Sequence, residues 1–222
     1  MRTRTRVVLS VGVVIASVAH AAVAQEVQWL KYRRADDDTG PVIAREKPLE
    51  LSSTRPQGVR MPEFEGDTQL FGRWYAPLAP DGYLWLALDR SGTSGLYDRL
   101  YIDSNGNGHL NDESVAFGVG MNVRSAHFGP LCVVFLTEHG LIAYHLRFIF
   151  FGQEEINTLS AYSSGWREGT IAIGNKQTRC TLIDYNVNGV FNDKPRNLRH
   201  PDPSGEFCGS RDCDMIPFMV GK

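Results

Sequence analysis

The sequence lacks a strong excess of either charge. Its 222 residues include 23 Lys and Arg against 25 Asp and Glu, a formal net charge of -2, and the two signs are interspersed along the chain. Proteins that bind nucleic acid or anionic membranes electrostatically carry a basic stripe or patch. We therefore expect neither nucleic acid nor an anionic membrane surface as a partner.

Long apolar runs are also scarce, and the one at the start is too short to span a bilayer. Arginines at positions 2, 4 and 6 precede the apolar run Val7–Ala19, which has about 13 residues where a spanning helix needs about 20. Ala22-Val23-Ala24 offers the small residues that a signal peptidase reads. This pattern predicts a signal peptide over residues 1–24 and no transmembrane segment in the mature chain. The mature chain is then a single domain over residues 25–222 that is secreted or periplasmic.

Cysteine is scarce, with four in the whole chain. In an exported protein an even number of cysteines is most simply explained by disulfides. Cys208 with Cys213 would close a small loop, and Cys132 with Cys180 would join two strands. A zinc site built from Cys208, Cys213 and His200 is the alternative, although its spacing fits zinc ligation poorly.

Helical periodicity is absent after the predicted signal peptide, and period-two alternation takes its place. Every second residue from Ile142 to Phe150 is apolar, which predicts a strand with one buried face. Further strands are predicted over Tyr83–Asp89, over Leu96–Ile102, and over residues 170–173 and 179–183, with Gly-rich turns between them. The fold class expected from this pattern is all-β, a sandwich or small barrel of hairpins.

The segment from residue 25 to residue 80 is rich in proline and is predicted to be irregular. Six prolines occur between positions 41 and 80, and proline disfavours long helices and central strands. Its aromatic residues are expected to pack onto a core built by later strands. For the aromatic group Trp74, Tyr75, Trp85 and Trp166, burial in the core is favoured over a sugar-stacking platform.

Sequence motifs for common catalytic sites are missing. The chain has no Gly-x-Ser-x-Gly elbow, no His-Glu-x-x-His and no Gly-rich phosphate loop before a helix. A pair of carboxylates for glycoside hydrolysis can still meet in space, and the acids nominally available are Glu63, Glu65, Asp67 and Asp89. We expect no catalysis by this domain.

One polar segment of ten residues occurs twice, each time after an isoleucine that ends a predicted hairpin. The first copy runs from Asp103 to Asp112 and the second from Asp184 to Asp193, with Asp, Asn, Asn, Gly, Asn and Asp at the same offsets. Alternating oxygen-bearing side chains followed by glycine allow a backbone to wrap around a hard cation, and calcium is the ion expected. The predicted ligand positions are Asp103, Asn105, Asn107, His109 (carbonyl), Asn111 and Asp112 in the first copy, and Asp184, Asn186, Asn188, Val190 (carbonyl), Asn192 and Asp193 in the second.

Each copy resembles the first nine positions of an EF-hand calcium loop. An EF-hand has a bidentate Glu at position twelve, where this chain has Ser114 and Pro195, and both copies have an aspartate at position ten instead. The segments are similar to the shortened Asp-x-Asn-x-Asn-Gly loops of dockerins and thrombospondin type 3 repeats. This resemblance implies ion binding without an activity. The two copies lie too far apart for a dockerin, so cohesin binding is not implied.

The predicted function is an exported β-rich domain that binds calcium for structural reasons. The second copy has two carboxylates, and so few charges predict a dissociation constant on the order of 10⁻⁴ to 10⁻³ M. The first alternative is a calcium-dependent carbohydrate-binding or adhesion module, whose partner would be a glycan or a cell-surface component. The second alternative is a secreted hydrolase with an active site that the sequence does not reveal.

Overall fold

The computed structural model of the chain describes residues 30–35, 46–92, 96–120, 122, 124–138, 140–153, 156–173 and 176–191. These ranges contain strands and turns but no helix, and none of their segments is a helix that could cross a membrane. The predicted signal peptide lies outside them, as do Cys208, Cys213 and His200. So do Asn192 and Asp193, the last two predicted ligands of the second copy.

Twelve strands are present in the described ranges. They are β1 (Lys31–Arg34), β2 (Lys47–Leu49), β3 (Leu51–Ser52), β4 (Gln69–Tyr75), β5 (Tyr83–Asp89), β6 (Arg99–Ile102), β7 (Ala116–Phe117), β8 (Ser125–Thr137), β9 (Gly140–Gln153), β10 (Ile156–Ser163), β11 (Gly165–Ile173) and β12 (Lys176–Ile183). Their pairing is antiparallel throughout and gives three sheets, with the orders β1-β11-β12, β2-β10-β9-β8 and β3-β4-β5-β6-β7.

The main core lies between the four-stranded and the five-stranded sheets. Leu84, Leu86 and Leu88 of β5 face inward with at most 1 % of their surface exposed, and from the opposite sheet Tyr144 and Phe148 of β9 do the same. A fully buried side chain of this size contributes about 1.5–3 kcal/mol through the hydrophobic effect. The two sheets therefore form a sandwich that is held by alternating residues of each strand.

A second, smaller cluster covers part of the outer face of the five-stranded sheet. Phe71 of β4 and Tyr101 of β6 point away from the main core and pack with Leu110, which is fully buried. The backbone N–H of Leu110 donates to the carbonyl of Arg60 at 2.8 Å. The residues that follow the first polar segment thus fold back over this face.

The three-stranded sheet is tied to the sandwich through Tyr32 of β1. The Tyr32 hydroxyl accepts a hydrogen bond from the backbone N–H of His145 at 3.0 Å and lies 3.1 Å from the Nδ1 atom of the same histidine. Within the small sheet, Arg33 of β1 forms an ion pair with Glu168 of β11 at 2.7 Å. These contacts fix the position of β12, which leads into the second polar segment.

The predicted all-β class is confirmed, and the sheets do not close into a barrel. The alternation from Ile142 to Phe150 is confirmed as the inner face of β9. Residues 25–80, predicted to be irregular, contain the short strands β1, β2 and β3 as well as β4, which has a neighbour on each side in its sheet. No proline occurs between Pro62 and Pro77, and β4 lies within that interval.

The predicted disulfide between Cys132 and Cys180 is wrong, because both cysteines are free. Cys132 lies on β8 opposite His145 in the four-stranded sheet, whereas Cys180 lies on β12 opposite Gly169 in the three-stranded sheet. Cys132 is exposed and Cys180 is buried. The two residues therefore belong to different sheets rather than to one cross-linked pair of strands.

Candidate cation loops

Each polar segment begins where the second strand of an antiparallel pair ends. We call residues 103–113 loop 1, which follows β6, and residues 184–191 loop 2, which follows β12. The backbone N–H of Asp103 donates to the carbonyl of Trp85 at 2.9 Å, so loop 1 leaves the sheet directly after a ladder hydrogen bond. The carbonyl of Ser104 accepts from the N–H of Val134 at 2.8 Å, which joins loop 1 to β8.

The Asp103 carboxylate organises the backbone of loop 1. It is 2 % exposed, and its Oδ1 and Oδ2 atoms accept from the N–H groups of Asn107 at 3.0 Å and Gly108 at 2.9 Å. The amide oxygens of Asn105 and Asn107 accept from the N–H groups two residues ahead, at 3.0 Å and 2.8 Å. Asp and Asn favour such local bonds. The loop is therefore a chain of side-chain oxygens bound to backbone donors.

Loop 2 repeats three of these hydrogen bonds at the same offsets. The Asp184 carboxylate accepts from the N–H groups of Asn188 at 3.2 Å and Gly189 at 2.7 Å. The Asn188 amide oxygen accepts from the N–H of Val190 at 2.8 Å. The two segments, separated by about 80 residues of sequence, thus share the bonds accepted by the first aspartate and by the asparagine at position five, whereas the bond to Asn105 has no counterpart in loop 2.

Backbone dihedral angles show the same correspondence. Gly106 and Gly108 of loop 1 have φ values of 73° and 80°, and the equivalent Val187 and Gly189 of loop 2 have φ values of 54° and 87°. A positive φ is unfavourable for a β-branched residue. Val187 is held there by its surroundings: its side chain is 2 % exposed, and its carbonyl accepts from the indole N–H of Trp74 at 2.8 Å.

The two glycines at the sixth position allow a matched test of this geometry. Gly108→Ala is expected to lose about 1–2 kcal/mol of unfolding free energy, because a Cβ there meets nothing within 4 Å but the φ stays positive. Gly189→Ala is expected to lose about 1 kcal/mol more, because its Cβ would lie 3.3 Å from Phe135 and 3.4 Å from Trp74. Urea unfolding measures both, and equal losses would contradict the packing difference.

Loop 1 is open to solvent on the side of its second carboxylate. Asp112 is exposed, and its Oδ2 atom accepts from the amide groups of Asn105 at 3.1 Å and Asn107 at 2.7 Å. Desolvation raises the pKa of Asp112, but the hydrogen bonds together outweigh it and hold the pKa below its ordinary value. Asp103, Asn105, Asn107 and Asp112 are thereby gathered within one short loop.

The two inner carboxylates of loop 1, those of Asp103 and Glu113, have raised pKa values. Burial raises the pKa of Asp103, although the backbone N–H groups of Gly108 and Asn107 lower it. Burial likewise raises the pKa of Glu113, against hydrogen bonds from Ser104 that reach its two carboxylate oxygens at 2.8 Å and 2.6 Å. Glu113 therefore binds Ser104 at the start of the loop.

Loop 2 is closed by the core. Asp184 is fully buried, and its Oδ2 atom also accepts from the Tyr144 hydroxyl at 2.7 Å. Burial raises the pKa of Asp184, although the hydrogen bonds from Tyr144 and Gly189 act in the opposite direction. The Oδ1 atom of Asn186, which corresponds to that of Asn105, is buried and receives no hydrogen bond from the described residues.

The structure assigns different places to the remaining predicted ligands. Asn111 is exposed, and the ring of His109 accepts through Nδ1 from the backbone N–H of Arg60 at 3.3 Å. Within the described ranges no three His, Cys, Asp or Glu residues are grouped as they are in a metal site. The acids named as catalytic candidates include Asp89, which is buried and accepts from the N–H groups of Glu65 and Gly66. The Asp89 carboxylate thus joins the backbone of Glu65 and Gly66 to the end of β5.

Sequence reasoning missed the partners that loop 2 takes from distant strands. Tyr144 comes 40 residues before Asp184, and Trp74 comes 113 residues before Val187. Tyr144 was predicted to lie on the apolar face of a strand, and Trp74 lies in β4. No local motif links either residue to loop 2. Comparison with known protein families, characterised proteins and solved structures gave no match.

Proposed function

We propose that this chain is an exported β-sandwich domain that binds calcium as a structural ion, with loop 1 as the main site. The observation that carries the proposal is the gathering of Asp103, Asn105, Asn107 and Asp112 in one loop whose backbone pattern recurs in loop 2. All four side chains present oxygen, the ligand that hard cations prefer.

The hydrogen bonds of loop 1 are compatible with a cation. An amide oxygen has two lone pairs, so the Asn105 and Asn107 oxygens that accept one backbone N–H each can still coordinate an ion. On binding, the Asp112 carboxylate would give up its hydrogen bonds from the Asn105 and Asn107 amide groups and would coordinate the cation instead. Calcium tolerates such an irregular set of protein oxygens, whereas magnesium demands octahedral geometry and gives up its waters reluctantly.

The consequence of binding is stability rather than chemistry. An ion that binds the folded chain alone stabilises it by RT ln(1 + [L]/Kd), which at 10 mM calcium is about 1.4 kcal/mol for a Kd of about 1 mM and about 2.7 kcal/mol for about 0.1 mM. Loop 1 joins β6 to the cover of the outer sheet face and contacts β8 through Ser104. The ion would therefore fasten three elements together.

Chelation tests the proposal. We expect 10 mM calcium to raise the melting temperature by about 3 to 10 °C over that in EDTA, since about 1 kcal/mol shifts a domain of this size by about 2–4 °C. Magnesium at the same concentration is expected to have a smaller effect. Asp103→Asn should abolish the calcium response, because it removes the buried charge of the loop but keeps its shape.

Asp81→Asn is the matched control, because Asp81 is an exposed carboxylate outside both loops. This variant should keep the whole calcium response. A wild-type melting temperature that is the same in calcium and in EDTA would refute the proposal. A response that survives Asp103→Asn would place the ion elsewhere.

A further inference from the structure

A surface groove with a volume of about 780 Å³ lies beside the outer face of the five-stranded sheet. One wall is the segment from Lys47 to Gln57, where the chain passes from β2 in one sheet to β3 in the other. The opposite wall is formed by outward-facing residues of β4 and β5, among them Arg73, Tyr75 and Trp85. The groove is separate from both loops, since its lining contains none of their residues.

Aromatic rings line the wall that the smaller cluster leaves uncovered. Tyr75 is paired across the strands with Tyr83, and Arg73 with Trp85, so the four side chains share the outer face. Tyr75 is 57 % exposed, although it belongs to a central strand of the sheet. Exposed aromatic rings on a regular sheet face provide flat apolar surfaces that a ligand can cover.

Arg73 is held in place by these rings. Its guanidinium carbon lies 4.6 Å from the centre of the Tyr83 ring and 4.3 Å from that of Trp85. Cation–π attraction to the two rings orients the guanidinium, and its N–H groups can donate to a planar anion such as a carboxylate. Arg73 forms no ion pair with any residue in the described ranges. A fixed guanidinium without a carboxylate partner favours an anionic ligand.

The charged residues that line the groove also favour an anionic ligand. Lys47, Arg55 and Arg73 contribute three positive charges to the lining, against one carboxylate from Glu50. The Lys47 ammonium lies 5.2 Å from the centre of the Tyr75 ring. Ser52, Thr54 and Gln57 add hydrogen-bonding side chains suited to hydroxyl groups.

We propose that this groove binds acidic oligosaccharides that contain uronic acids. The apolar face of a pyranose ring would cover the exposed Tyr75 ring, and a uronate carboxylate would accept hydrogen bonds from Arg73. The sugar hydroxyls would bind Ser52, Thr54 and Gln57. An acidic peptide satisfies the charge but has no flat apolar ring face for each aromatic residue and fewer hydroxyls. This binding does not depend on calcium in loop 1.

Isothermal titration in EDTA tests the proposal, with tetramers of galacturonate, glucuronate and mannuronate as probes. EDTA keeps the calcium affinity of the sugars and of the loops out of the measurement. At least one tetramer should bind, and its methyl ester, which lacks the charge, should bind at least about tenfold more weakly. Raising the salt concentration to about 1 M should weaken binding further, because an exposed charge pair is screened.

Substitutions locate the binding surface. Tyr75→Ala should weaken binding about tenfold, because it removes the most exposed ring. Phe117→Ala is the matched control, since Phe117 is 59 % exposed and lies under the guanidinium of Arg99 at another edge of the sheet. Arg55→Gln should weaken binding, whereas Arg124→Gln, at an exposed position outside the groove, should not. Circular dichroism checks that each variant is folded.

Three outcomes would overturn the proposal. The first is no binding of any tetramer at about 10 mM, where even contacts of millimolar affinity are visible. The second is equal affinity for an acid and its methyl ester. The third is tighter binding of a tetraglutamate peptide than of every tetramer, which would assign the groove to acidic peptides. Since every titration is done in EDTA, none of these results depends on whether loop 1 binds calcium.

Discussion

Asp184→Ala is expected to lower the unfolding free energy by about 3–5 kcal/mol, because it strips a fully buried cluster of its acceptor. The Tyr144 hydroxyl and the N–H groups of Asn188 and Gly189 all donate to this carboxylate. A buried donor that loses its acceptor costs about 1–3 kcal/mol. Since the three donors share this one acceptor, its removal affects all three together. Urea unfolding in EDTA measures this effect apart from any bound ion.

Tyr144→Phe separates the contribution of the tyrosine hydroxyl to this loss from that of the two backbone N–H groups. It removes one donor and leaves the two backbone bonds of Asp184 intact, so we expect a loss of about 1–2 kcal/mol. The ring is retained and continues to stack on Trp74, with centroids 5.7 Å apart. A loss for Asp184→Ala no larger than that for Tyr144→Phe would show that the backbone N–H groups find other acceptors.

The pH dependence of the unfolding free energy tests whether the pKa of Asp184 is raised in the folded state. Because its pKa is raised in the folded state, the folded chain binds this proton more tightly than the unfolded chain, where the pKa is about 3.9. The resulting stabilisation is complete below about pH 3.9 and is lost as the pH rises through the folded pKa. In EDTA, the wild type should lose more stability across this window than Asp184→Asn. Equal slopes would contradict a raised pKa.

Trp74→Ala is the other large effect, with an expected loss of about 3–5 kcal/mol. Trp74 is fully buried between the sheets, stacks on Tyr144, and has the Phe135 ring at 6.2 Å. Its indole N–H donates to Val187. Alanine leaves a cavity, and it also leaves the Val187 carbonyl without this donor while the residue is held at a positive φ. Packing, hydrogen bonding and loop geometry are lost together.

Trp85→Ala is the matched control for Trp74→Ala. Trp85 lies on the neighbouring strand, faces outward and is only partly buried, so its replacement should cost clearly less. Trp74→Phe retains an aromatic ring and should recover part of the loss while still lacking the indole donor. Urea unfolding of the three variants gives the comparison. Similar losses for Trp74→Ala and Trp85→Ala would show that the core does not depend on the Trp74 position.

The sequence predicts strands in which apolar residues alternate regularly between two faces, and it misses strands in which this alternation is interrupted. β5 matches its predicted bounds, Tyr83–Asp89, because leucines alternate with residues of the outer face. β4 was missed because Gly72 and Arg73 interrupt its apolar residues and prolines are dense on both sides. Its position in the sheet depends on pairing with β5, which lies outside the range of local propensity.

For the candidate site, local chemistry was predictable and distant partners were not. The repeat of Asp and Asn at the same offsets predicted two loops of the same kind, and the matching hydrogen bonds of Asp103 and Asp184 agree with this. The pattern did not predict that loop 1 is open and loop 2 is enclosed. That difference comes from Tyr144 and Trp74, whose contacts with loop 2 are set by the packing of the sheets.

The hydrogen bond between Trp74 and Val187 also has a consequence for the order in which the newborn chain can fold. The acceptor is synthesised 113 residues after the donor, so a ribosome that has released β4 still holds the segment that completes its surroundings. Pairing across such a separation is slow because long loops must close first. The surroundings of Trp74 can therefore be completed only after the chain has been synthesised to Val187.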